Sequence, residues 1–197
     1  MWNYFVKGGP LMYPLLLCSV LSLAIIVERI IYYFKIGKKN RIIIPKIDSA
    51  LEHRDWFTIK EICQTYSSPL THVLLSGLER FADKKETIEE TMESTGLLEV
   101  VHLEKYLPVL ATIASISTLL GFTGTVTGMI RAFQAIAETG VSSPAIVGGG
   151  IAEALITTAA GLFIAVPTTV FYHYFTHWVD SFVLEIEKYS HRLLKLR

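Results

Sequence analysis

The chain has 197 residues, 51% of them hydrophobic, and its 18 basic and 18 acidic side chains give a formal net charge of zero. That apolar content excludes intrinsic disorder, and the balanced charge removes any bulk electrostatic case for nucleic-acid binding. The informative feature is clustering, because the charges leave three stretches almost untouched, each longer than the ~18 apolar residues that mark a spanning helix.

Residues 1–10 carry Trp2, Tyr4 and Phe5, an amphipathic start suited to lying along a membrane interface. The first apolar stretch, 11–34, has no charge until Glu28 and Arg29 near its end, where charged groups reach the polar boundary. It is longer than the apolar region of a usual signal peptide and only Lys7 stands before it, so it reads as a spanning helix and not as a cleaved leader.

Residues 35–106 read as a helical domain. Lys35, Lys38, Lys39, Arg41 and Lys46 arrive with no acid before Asp48. A short helix is expected around Ile47 to Tyr66, and Ser67, Ser68 and Pro69 form a turn that starts the next. There Leu70, Val73, Leu74, Leu78 and Phe81 recur at three- and four-residue spacing, an apolar stripe able to pack. From Lys85 to Tyr106 only Gly96 interrupts a helical pattern, which would continue into the second span with Pro108 as a kink.

The second stretch, 107–130, is uncharged and reaches roughly 36 Å at about 1.5 Å per residue, more than a hydrocarbon core of about 30 Å. A loop at 131–145 holds Arg131 and Glu138. The third stretch, 146–178, has Glu153 as its one charge and ends in Phe171, Tyr172, Tyr174, Phe175 and Trp178, an interfacial aromatic belt. A tail, 179–197, carries Lys188, Arg192, Lys195 and Arg197. The positive-inside rule puts 35–106 and the tail in the cytoplasm, and the N-terminus and the 131–145 loop outside. The fold class is therefore an all-α integral membrane protein with three transmembrane helices and long cytoplasmic helical extensions.

Gly121, Gly124 and Gly128 include the four-residue spacing that lets helix backbones approach closely in lipid. Ser115, Thr118 and Thr125 put hydroxyls on a stripe with Phe122 and Met129; such hydroxyls either face a polar path or bond their own backbone. Glu153 lies about one turn into the third apolar stretch. Translocon scales put a central acid at about 2.5–3.5 kcal/mol, so it must face protein or water, be protonated, or snorkel to the interface. Thr157 shares the face of Glu153, whereas Thr158 lies with Ala154 and Gly161. With several copies around an axis, Thr125 and Thr158 would line a narrow lumen. Neither span has a carboxylate in its middle, so a partner must supply a proton carrier.

His173 and His177 share a helical face but have no acidic or thiol companion, and Cys18 and Cys63 fall in unlike segments. No metal site, cofactor or disulfide is expected. No serine in a span has a plausible histidine base, which argues against an enzyme.

The runs LATIASISTLLGFTGTVTGM and GGGIAEALITTAAGLFIAVPTTVFY resemble the ExbB/TolQ/MotA family of ion-driven motor subunits, most closely its ExbB and TolQ branch. The resemblance implies a pentamer in the bacterial inner membrane around single-span ExbD- or TolR-like helices, whose aspartate carries the proton, coupled to a TonB- or TolA-like transducer. By the same resemblance Thr125 matches the threonine of the GTV motif, Thr158 the lumen-facing threonine of the third helix, Glu153 the glutamate of GIAEAL and Pro167 the third-helix proline. Phe122 and Thr123 stand where the family usually has Leu-Phe, and Thr157 where alanine is common. These departures add hydroxyls near the implied path and leave proton or sodium coupling open, with a proton favoured because no further ligand cluster is visible. ExbB-like import, TolQ-like envelope maintenance and a passive scaffold are the competing roles.

Overall fold

The computed structural model describes residues 2–139 and 144–196, with side chains described outside 2–4, 139 and 144–146. The order is α1 (Trp2–Lys7), α2 (Met12–Glu52), α3 (Trp56–Thr65), α4 (Pro69–Glu79), α5 (Lys85–Leu103), α6 (Leu107–Thr139) and α7 (Pro144–Leu196). Three helical stretches, 12–52, 85–138 and 147–196, are long and apolar enough to cross a membrane. The helices outrun their apolar segments: the 53 residues of α7 would extend roughly 80 Å at 1.5 Å per residue.

Several boundaries differ from the sequence expectation for identifiable reasons. The polar run after Phe34 continues α2 to Glu52, so Ile47 to Glu52 belongs to α2 and a break with Arg54 at φ 52° precedes α3. Asp55 caps α3 by accepting from the Thr58 amide. α5 stops at Leu103, because Pro108 has no N–H to give the Glu104 carbonyl and its ring crowds that turn; Tyr106 at φ 71° makes the break. α6 runs on through Thr139 and α7 starts at Pro144, so the described part of 131–145 is all helix; residues 140–143, and the side chains of Trp2 and Tyr4, lie outside the described set.

The chain divides into two compact units, Met1–Val27 with Tyr106–His173, and Glu28–Lys105 with Tyr174–Arg197. In the second, Ile43, Ile47 and Leu51 of α2 pack with Ile59, Leu70, Leu74, Ile88 and, from α7, Ile186, Tyr189 and Leu193. α4 is started by a capping box between Ser68 and Thr71 with Pro69 in its first turn, a local arrangement that satisfies amides a helix start leaves free. Arg29, expected among interfacial charges, is 3% exposed. Its Nη1 reaches the carbonyls of His102 and Leu103, while Tyr33 Oη donates to Leu103 at 2.7 Å, so together they close the C-terminus of α5. Asn40 Nδ2 donates to Glu185 at 2.6 Å, and Asp48 accepts from Tyr189 at 3.0 Å and from Arg192. Burial raises Glu185 above the usual carboxylate value, opposed by the Asn40 bond. It pushes the Cys63 thiol up to about 12, which makes Cys63 an inert core residue.

Candidate functional site: the α6–α7 crossing

Small residues decide how the membrane unit is built. A methyl placed on Gly128 would lie 2.7 Å from the Gly150 carbonyl oxygen, and one on Gly150 the same distance from the Gly128 oxygen. On Gly161 it would meet the Ser117 oxygen at 2.5 Å, and on Gly121 the Thr158 Cα at 3.3 Å. Gly124 faces the Thr157 side chain. α6 and α7 thus touch backbone to backbone over several turns, and Gly121, Gly124, Gly128 and Gly161 all lie on the contact. Gly150 and Ala132, which the sequence reading did not single out, extend it. Pro167 lies within α7, where it withholds an N–H from the Phe163 carbonyl.

The hydroxyls divide into two groups. Thr158 Oγ1 donates across the crossing to the Gly121 carbonyl at 2.9 Å and shares its proton with Ala154 at 3.1 Å. Thr125 donates to Phe122 at 2.6 Å and Thr118 to Ala114 at 3.1 Å, each bonding within its own helix. No hydrogen bond joins Thr118 or Thr125 to Thr158 among the described residues. Ser115, Thr118, Phe122 and Met129 form an exposed stripe of α6 with Thr125 half-buried beside it. Thr157, read from the sequence as an added hydroxyl beside the path, is 1% exposed and donates to Gly8 and Glu153 carbonyls, both at 2.8 Å.

Glu153 has a partner that its position in the sequence did not reveal. Its carboxylate pairs with Arg131 of α6, which the extension of that helix past Ile130 carries to it. Gly9, at φ +73°, brings the N-terminal segment against the same carboxylate, where any Cβ would strike it. The signal for this clasp was the Gly8-Gly9-Pro10 run, which marks a turn but not its target. His173 packs edge-on to Tyr172, and no group of three His, Cys, Asp or Glu side chains is placed to hold a metal among the described residues.

Three long apolar helices and a close helix crossing with polar hydroxyls define a multi-pass helical membrane protein. Comparison with known proteins specifies it further. The profile of the MotA/TolQ/ExbB proton channel family matches residues 65–188, and the chain belongs to that family. It is 35% identical over 167 residues to the putative biopolymer transport protein ExbB-like 1 of Synechocystis, covering 82% of this chain and 65% of that protein. It is 31% identical over 176 residues to the Tol-Pal system protein TolQ of Haemophilus influenzae, covering 79% and 73%. To the putative biopolymer transport protein ExbB homolog of Methanothermobacter thermautotrophicus it is 29% identical over 185 residues, covering 93% and 65%. The chain therefore spans about two thirds of the length of the first and third of these relatives.

Proposed function

We propose that this chain is an ExbB-like subunit of a proton-driven motor in the bacterial inner membrane, with its N-terminus periplasmic and its C-terminus cytoplasmic. Five copies form a ring around an ExbD-like partner whose aspartate carries the proton, as the family resemblance implies. The ring energises a TonB-like transducer for transport across the outer membrane. One observation carries the reading: Glu153, the lone carboxylate of the α6 and α7 apolar segments, is held by Arg131, so the moving proton needs a carboxyl from elsewhere. Thr125 and Thr158 are the hydroxyls it passes, and Thr118 extends their stripe. Thr157 is kept out of the path by its burial, 1% exposed with its hydroxyl against Gly8.

The membrane potential supplies about 2.3 kcal/mol per charge per 100 mV to this movement. Thr158→Val keeps the shape of the side chain and removes the hydroxyl. Energy-dependent uptake in cells falls while the detergent-corrected native mass stays that of the ring; unaffected uptake would sink the role given to Thr158. The likeness to a TolQ protein supports a second reading, a motor serving envelope integrity. Iron starvation on deletion points to the first and a leaking envelope to the second.

A further inference from the structure

The second unit leaves two surfaces uncovered. One is on α2. Ile36, Asn40, Ile43 and Ile47 face the core, and at the period of a helix the opposite side holds Ile31, Phe34, Lys35, Lys38, Arg41 and Ile42. Ile31, Phe34 and Ile42 are 49%, 61% and 48% exposed, and Lys35, Lys38 and Arg41 enter no ion pair among the described residues. The other is a groove of about 650 Å³ between α5 and α7. Val73, Met92 and Ile186 give it an apolar floor, and Glu89, Glu93 and Glu187 an acidic rim with no ion pair among the described residues. The Ser190 hydroxyl, in the same lining, is buried with no hydrogen-bond partner among the described residues.

The surfaces match in order as well as in sign. Copies related by rotation about an axis along their helices keep each residue at its own level, so contacts inside one copy fix what can meet between two. Tyr33 is level with Leu103, and Asn40 and Asp48 are level with Glu185 and Tyr189, so α2 runs against α5 and along α7. Counting equal rises of about 1.5 Å per residue from the Tyr33–Leu103 tie puts Arg41 level with Thr95, within a turn of Glu93. The same count puts Phe34 level with His102, next to Val101, which is 67% exposed. Phe34 of α2 thus meets an apolar residue of α5, and Arg41 reaches the level of the acidic rim, while Lys35 and Lys38 fall level with Val101 and Leu98. An anionic lipid surface would also suit the α2 stripe, but it leaves the acidic groove unfilled.

We propose that these are the two halves of one head-to-tail contact: the Ile31–Ile42 face of α2 in one copy seats against the α5–α7 groove of the next, with Arg41 beside Glu93. A contact made of two different patches closes into a ring when the rotation allows it. The proposal rests on the ring reading above and adds the residues that set the order of subunits in it.

The test uses the full chain in membranes and in mild detergent. Oxidative cross-linking of the double variant Arg41→Cys, Glu93→Cys is expected to give a ladder of several subunits on a non-reducing gel, where either single variant, retaining Cys18 and Cys63, gives none beyond a dimer. Arg41→Glu is expected to lose the multimeric native mass, and adding Glu93→Arg to restore it. A multimeric parent with no ladder, and a mass indifferent to both charge changes, overturns this contact and leaves the ring standing. A parent that stays monomeric with its partner present overturns the ring and the contact together. Loss of co-purified phosphatidylglycerol on Arg41→Glu, with mass unchanged, assigns the stripe to lipid and overturns the contact.

Discussion

Gly161→Ala tests the α6–α7 crossing on which every assignment in the membrane unit depends. The new methyl stands 2.5 Å from the Ser117 carbonyl oxygen and 3.0 Å from Gly121 Cα, where ordinary contact begins at 3.4 Å. Both obstacles are backbone and cannot rotate aside, so the helices must part by about 0.9 Å along that line, the difference between 3.4 and 2.5 Å. That separation forfeits a quarter to a half of the dispersion energy of facing atoms. It also stretches the Thr158–Gly121 bond from 2.9 Å to beyond hydrogen-bonding range. Overpacking of this kind costs about 1–3 kcal/mol. Alanine's better helix propensity, ~1 kcal/mol, works the other way. Gly149→Ala isolates that gain, since a methyl there meets nothing within 4 Å among the described residues. At about 2–4 °C per kcal/mol for a chain of this size, Gly161→Ala should melt about 2–12 °C below Gly149→Ala. The assay is thermal unfolding of the purified protein in detergent, followed by intrinsic fluorescence. Equal midpoints for the two variants would refute the backbone-to-backbone crossing.

Two further outcomes follow from particular residues. Gly9→Ala places an L side chain at φ +73° against Glu153. It is expected to lower stability by about 1–2 kcal/mol from the left-handed backbone alone. Gly37→Ala in α2, with open space around it, should instead be neutral or stabilising in the same melt. Glu185 is a pH probe. Burial raises its folded pKa above the ordinary 4.5, so folding favours its protonated form. The parent then loses stability as pH rises from 4.5 through the raised value, and the loss is complete above it. Glu185→Gln keeps an acceptor for Asn40 and removes the titration, so the gap between variant and parent should open with rising pH. A gap that stays constant from about pH 4 to pH 8 would show that Glu185 does not titrate in this way.

Much of the fold was legible because membranes and caps leave local signals. Apolar length marked the three spans, and the Ser67, Ser68 and Pro69 turn marked the start of α4, where the structure adds a capping box between Ser68 and Thr71. What stayed hidden required knowledge of distant partners. Arg29 reads as an interfacial charge until the end of α5 is seen 74 residues away, and Arg131 reads as a loop residue until α6 is seen to run to Thr139. Thr157 and Thr158 are adjacent and chemically identical in sequence. Helical period puts them on different faces, but what each hydroxyl meets, Gly8 for one and Gly121 for the other, shows only in the structure. Periodicity names a face; it does not say which element covers that face.

The hydrogen bonds around Thr125 and Thr158 also give the proposed proton path a direction of preference. Each hydroxyl has already donated its one proton to a carbonyl, Phe122 for Thr125 and Gly121 with Ala154 for Thr158. What each offers a visiting group is therefore a lone pair, an acceptor and not a donor. A protonated carboxyl from a partner helix can donate to that lone pair without disturbing the crossing. An ionised carboxylate needs a donor, which Thr158 can supply only by releasing Gly121 and loosening the contact between α6 and α7. On the proposed reading the neutral acid travels past closed helices, and the charged one is held only where the helices open. Coupling between protonation and ring movement then needs no charged residue of this chain on the path. It also explains why Thr158, bonded across the crossing, should matter more than Thr125, bonded within a single turn.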